Sequence, residues 1–270
     1  MFMRGAIGLG FALIAIAAAA QSDDSAKDQG SADLAKKLQN PVANLISVPV
    51  KYDWDTGIGA AKSDRSTLVV QPVIPFSLND DWIVVSRTIL PFIGAQSPVP
   101  GGDSQRGIGD VTQSFFVGPK KPTADGWIWA AGPVALLPTA SKSTLGGGKV
   151  GLGPTAVALK QQDRWTYGVL VNHIWSVAGP NDRNRISVSY VQPFLSYTFK
   201  SYTTVGLSTE STYDWKNSQW TVPINVSVSQ LLKIGGQPLS FALGLRSYVS
   251  GPSGGPDWGV RFTTTLLFPK

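Results

Sequence analysis

The sequence has no cysteine and a single histidine, His173. Without thiols there is no disulfide framework, and one histidine with no cysteine cannot assemble a metal cluster of the zinc type, so neither cofactor nor metal is expected. Charge is also sparse, at 15% of residues. The formal balance is +6, yet no run of Lys and Arg with interleaved aromatics occurs, so a nucleic-acid partner is not expected. Beyond the amino terminus, no apolar run reaches the length of a membrane-crossing helix. The glycines Gly146, Gly147, Gly148, Gly151 and Gly153 lack the context of a phosphate loop and read as turn and strand packing.

The one long apolar run has a specific grammar. Residues 1–4 are a short basic start, 5–17 are apolar, and Ala18, Ala19 and Ala20 before Gln21 form a small-residue cleavage site. This is a secretory signal over residues 1–20, with a mature protein expected from Gln21. An exported chain without disulfides needs another source of stability, which a closed backbone hydrogen-bond ladder supplies.

What the remainder contains is alternation with a period of two. Trp220, Val222, Ile224, Val226, Val228 and Leu232 alternate with Thr221, Pro223, Asn225, Ser227 and Ser229. Leu239, Phe241, Leu243 and Leu245 alternate with Ser240, Ala242, Gly244 and Arg246, and Trp258, Val260 and Phe262 with Gly259, Arg261 and Thr263. Such strands have a different solvent on each face. Their length and the aromatics near their ends fit a membrane barrel better than a soluble sandwich.

Strands are predicted over residues 45–57, 66–78, 82–93, 108–119, 127–139, 149–160, 165–177, 185–199, 203–215, 220–232, 239–249 and 258–268. Connections alternate between tight ones, as at 79–81, 161–164 and 200–202, and mostly longer Gly- and Ser-rich ones, as at 95–107, 140–148 and 250–257. The fold class is therefore all-β: an antiparallel transmembrane β-barrel of about 12 strands over residues 45–270, in a bacterial outer membrane, with its termini on the periplasmic side. Its first partners are outer-membrane lipids, met by an interfacial girdle of Trp82, Trp127, Trp129, Trp165, Trp175, Trp215, Trp220, Trp258 and Phe268. Oligomeric state is not legible. Residues 21–44 form a periplasmic segment with about two turns of helix around Leu34, Ala35 and Leu38, capped by Ser31 or Asp33 and ended before Pro41. It sits at the rim or partly plugs the barrel.

Several stretches resemble a bacterial family of outer-membrane proteins named for the meta-cleavage (MetA) pathway of phenol degradation and labelled as transporters. They are LQNPVANLISVP at 38–49, QPVIPFSLNDDW at 71–82, SRTILP at 86–91, QPFLSYTF at 192–199, ESTYDW at 210–215 and DWGVRF at 257–262. The resemblance implies an outer-membrane barrel, with import of small aromatic or apolar compounds implied by the family's name. It carries over no functional residue.

Inward parity brings Asp53, Glu210, Arg246 and Arg261 to similar heights around the seam between first and last strands. They are expected to form a charge belt across the lumen, either a selectivity constriction or a structural network that fills the barrel and fixes its register. Proline fits the pattern worst: Pro49, Pro72, Pro75, Pro91, Pro133, Pro138, Pro154, Pro193 and Pro223 fall within predicted strands, where each removes a ladder donor. Bulges explain them; a sharper expectation is a lateral gap near Pro72, Pro75 and Pro91 through which an apolar solute leaves. His173 shares its face with Trp165, Tyr167, Val169, Val171 and Trp175, which places it in an aromatic girdle rather than a catalytic triad. The leading reading is a passive channel for small apolar or aromatic solutes and not an enzyme. The alternatives are a filled structural or interaction barrel and, last, a barrel lipid hydrolase.

Overall fold

The computed structural model describes residues 25–269; the expected signal peptide and its cleavage site before Gln21 lie outside them. Helix α1 (Ser25–Leu38) precedes fifteen strand segments: β1 (Ile46–Ile58), β2 (Ser63–Val70), β3 (Val73–Ser77), β4 (Trp82–Ala95), β5 (Gln105–Ile108), β6 (Val111–Pro119), β7 (Trp127–Leu137), β8 (Val150–Gln162), β9 (Trp165–Ala178), β10 (Ser187–Thr198), β11 (Thr203–Thr209), β12 (Ser211–Asp214), β13 (Gln219–Ile234), β14 (Gln237–Ser250) and β15 (Trp258–Phe268). The pairs β2/β3, β5/β6 and β11/β12 are each one stave broken for one or two residues. The wall is thus a closed antiparallel barrel of twelve staves, sealed where β1 pairs with β15 from Ile46↔Phe268 to Thr56↔Trp258.

The faces invert the soluble pattern. Tyr52, Leu68, Phe76, Val226, Leu245 and Phe262 are exposed on the outer wall, whereas Asp53, Asp55, Thr155, Asn225, Ser240, Arg246 and Thr265 are buried inside. An exposed apolar surface of this extent is stable only against hydrocarbon. Among the described residues no helix is long and apolar enough to cross a membrane; the strands do the crossing. Aromatic side chains ring both ends of the wall, pairing across strands as Trp82–Trp129 and Trp165–Tyr197 near the short turns and as Trp54–Trp258 and Tyr213–Trp220 near the long loops.

The wall has no opening at the prolines, which corrects the expected lateral gap. Val70↔Leu90 and Val73↔Arg87 keep one register across the β2/β3 break, Pro75 opposes Val85 and Pro91 opposes Val69. Pro72 falls in the break itself, where its carbonyl accepts from Thr88 N (3.1 Å) while Gln71 N donates to the Pro49 carbonyl (2.9 Å). Beside Pro91 the neighbouring stave shifts register between Phe92↔Ile108 and Ile89↔Thr112, and Gly109 N donates to the Pro91 carbonyl at 2.9 Å. A bulge thus absorbs the proline. Pro138 lies just past the end of β7 rather than within it.

The amino-terminal helix is longer than predicted and does not begin at Ser31 or Asp33. It runs through both from Ser25, and Asp33 instead pairs with Lys37 at i,i+4 (2.7 Å). Its apolar residues Leu34 and Ala35 pack with Ala43, Leu45, Leu231 and Leu267, while Gln161 Nε2 donates to the Lys36 carbonyl at 2.8 Å. Leu231 and Leu267 belong to β13 and β15, and Gln161 to β8 on the far side of the barrel, so the segment lies across the mouth at the end of the barrel that carries the short turns. Val42 continues inward, packing on Val73, Val85, Phe116, Leu159 and Leu170. This is a plug, one of the two positions the sequence left open.

Gly153 faces the β9 backbone so closely that a Cβ would lie 1.6 Å from the His173 carbonyl oxygen. The obstruction is main chain and cannot rotate away. Gly153→Val is expected to cost more than the ~1–3 kcal/mol typical of overpacking; loss of the heat-modifiable folded band after refolding in detergent checks this.

Candidate functional site

The site is built from β1 upward. Residues at odd positions of β1 point inward, which sets Lys51, Asp53 and Asp55 on the lumen face. Across the seam Asp53 pairs with Arg261, and one stave further Arg246 pairs with Gly259. A Cβ on Gly259 would lie 2.5 Å from Asp55 Oδ1, so the glycine is what lets this carboxylate fold inward. Glu210, the only glutamate of the chain, occupies the break between β11 and β12. The register on either side, Thr209↔Ile224 and Thr212↔Thr221, sets it opposite Pro223, which has no N–H to offer the ladder.

The structure brings the predicted Asp53, Glu210, Arg246 and Arg261 together. Arg261 Nε and Nη2 bond the two Asp53 oxygens at 2.6 and 2.8 Å, and Nη1 and Nη2 bond the two Glu210 oxygens at 2.8 Å each. Arg246 Nη1 lies 2.7 Å from Asp53 Oδ2 and Nη2 3.8 Å from Glu210 Oε2. Two further residues join: Asp55, 3.8 Å from Arg246, and Arg65, 3.2 Å from Asp55. Tyr248 donates to Asp55 Oδ1 at 3.0 Å, and its ring lies 5.5 Å from the Arg246 guanidinium. Three carboxylates and three guanidinia make the network electrically neutral, and the bidentate pairs give it a fixed geometry.

Between this belt and the plug lies a cavity of about 330 Å³. Lys37–Pro41 border it on the side of the plug and Glu210 and Arg261 on the other. Its wall is mixed: Leu170, Phe194 and Val73 supply apolar surface, and Lys51, Gln71, Arg87 and Gln192 supply polar groups.

His173 is far from this chemistry by parity, on the outer wall with Trp175 (4.1 Å between ring centroids) and Trp215 (6.4 Å). Its Nδ1 is 2.7 Å from Ser189 Oγ and its Nε2 3.3 Å from Ser187 Oγ, while Trp215 Nε1 donates to Ser189 Oγ at 2.9 Å. Among the described residues no carboxylate or amide side chain bonds the ring, so nothing there compensates an imidazolium as a triad requires.

Sequence reasoning missed Arg65, because the second strand was predicted to start at Ser66 whereas β2 starts at Ser63. It also missed Arg87. The run Ser86, Arg87, Thr88 hides its parity, because Ser86 and Thr88 are satisfied on the outer wall by Gln113, with which each makes a side-chain hydrogen bond (3.0 and 2.6 Å).

The class these features define is the outer-membrane β-barrel. An outer membrane channel from Pseudomonas putida F1 is similar in structure, with a TM-score of 0.66 at 14% identity, over 84% of this chain and 96% of that one. The outer membrane phospholipase A from Escherichia coli is similar with a TM-score of 0.50 at 12% identity, over 83% of this chain and 90% of that one. At these identities the likeness is one of fold. No protein-family model and no curated protein sequence matches the chain.

Removing one partner from a buried ion network leaves an uncompensated charge, typically a cost of about 3–5 kcal/mol. Arg261→Gln is expected to lose that much in urea unfolding from detergent micelles. Arg65→Gln, whose side chain is 40% exposed, should lose no more than ~1 kcal/mol.

Proposed function

We propose that the protein is a passive outer-membrane channel for small apolar or aromatic solutes, driven by their concentration gradient and without cofactor or catalytic step. The observation that carries this is the cavity inside the barrel, held between the belt and a plug that is attached by side-chain packing and by side-chain hydrogen bonding, as from Gln161 to the Lys36 carbonyl, rather than by strand pairing. Its partly apolar wall suits solutes of that class. The resemblance to the family named for the meta-cleavage pathway of phenol degradation, and the fold shared with a channel, support the same reading. On it the belt is a constriction that limits passage, and the plug moves aside for a solute to reach the periplasm.

One observation favours a second reading, a filled structural barrel. Asp53 and Arg246 are only 6% and 8% exposed, so the belt fills its part of the lumen. Uptake of neutral phenol into liposomes separates the two. A channel takes phenol up above empty vesicles, and Leu34→Asp, which puts a charge into the packing under the plug, raises the rate several-fold while the folded band is retained. No uptake above leak by either protein would leave the filled barrel standing.

A further inference from the structure

The belt is neutral, but the cavity beneath it is not. Of its lining residues, Lys37, Lys51, Arg87 and Arg261 are cationic and only Glu210 is anionic. Lys37 is matched by Asp33, and Arg261 by Asp53 and Glu210. That leaves Lys51 and Arg87. The Lys51 ammonium has three N–H donors and places one of them on a neutral acceptor, Gln71 Oε1, at 3.1 Å. Arg87 Nε is shut off from solvent and has no acceptor. Among the described residues no carboxylate lies within ion-pair distance of either cation.

A guanidinium facing a low-dielectric cavity without a counter-charge is costly, and a planar fork of donors matches a carboxylate oxygen for oxygen. Glu210, the one carboxylate that lines the cavity, has both oxygens bonded to Arg261. Phe194, Leu170 and Val73 line the same space. They would receive the apolar body of a molecule whose head sits on the cations. About 330 Å³ is at the lower end of small-molecule sites, which suits one ring or a short branched chain.

We propose that this cavity is a binding site for small hydrophobic monocarboxylates, of which single-ring aromatic acids are the type, with the carboxylate on Arg87 and Lys51 and the ring against Phe194 and Leu170. The inference rests on the channel reading, whose solute class it narrows from apolar compounds in general to organic monoanions. It also gives the neutral belt a part: a partner anion meets no net repulsion there and gains its counter-charge only after passing.

The test uses the full mature chain refolded in detergent, with benzoate and phenol as probes of equal ring and different charge. Calorimetric titration is expected to show saturable benzoate binding, with phenol at least tenfold weaker, since a hydrogen bond to a charged group is worth that factor. Arg87→Gln should weaken benzoate about tenfold and leave phenol unchanged. Arg87→Lys keeps the charge but loses the fork, should fall between, and covers the case in which the glutamine variant does not fold. Equal binding of both probes, no benzoate binding, or benzoate binding indifferent to both Arg87 variants would overturn the proposal. Uptake by proteoliposomes then separates it from the channel reading. Benzoate bound but not carried upholds the site and removes the channel. Phenol carried with no benzoate binding removes the site and upholds the channel.

Discussion

Everything in this molecule depends on the pairing of the first strand with the last. A sheet surrounded by hydrocarbon has no water to satisfy a free edge, and each unpaired peptide group costs several kcal/mol there. The β1–β15 ladder removes both edges at once. Closure in turn creates an inside, and only an inside can hold Asp53, Asp55 and Arg246 where they are. The inverted distribution of polar and apolar side chains follows from the seal and is not a separate design choice.

Within the lumen the two halves of the wall play different roles. The staves around the seam, β1, β14 and β15, together with Glu210 contribute charge, and the staves from β3 to β9 contribute an apolar cluster onto which Val42 packs. The amino-terminal segment is therefore seated by hydrophobic contact on one side and reaches the seam side through Leu34 and Ala35 against Leu231 and Leu267. The cavity is the space left between the end of this segment and the belt.

Much of the fold was legible because period-two alternation survives in nearly every stave, and strand ends coincide with tryptophans. The charge cluster was legible for the same reason: once the faces are assigned, Asp53, Arg246 and Arg261 are odd one out on an otherwise small and polar face. The rest was hidden by local exceptions. Arg65 lies beyond the point where alternation stops, though hydrogen bonding carries β2 on to Ser63. Arg87 sits among polar neighbours that face lipid and satisfy one another. The prolines read as defects because sequence shows the missing donor but not the bulge or break in the adjacent stave that makes the donor unnecessary. The helix start was misplaced since Ser31 and Asp33 are good caps in isolation, and packing of Leu34 and Ala35 against the barrel outweighs a capping preference of about 1 kcal/mol.

The belt also has a meaning in time. Arg261 and Asp53 are 208 residues apart along the chain, and Glu210 is 51 from Arg261. A contact of the larger separation is entropically among the last to be made, and Arg261–Asp53 requires both termini of the sheet to have met. A sheet whose ends have not met lacks that pair, whereas the finished barrel is held by all of the network together. A pair made only at closure adds to the barrier against leaving the folded state rather than to the rate of reaching it: the Asp53–Arg261 pair works as a ratchet on the final step of assembly.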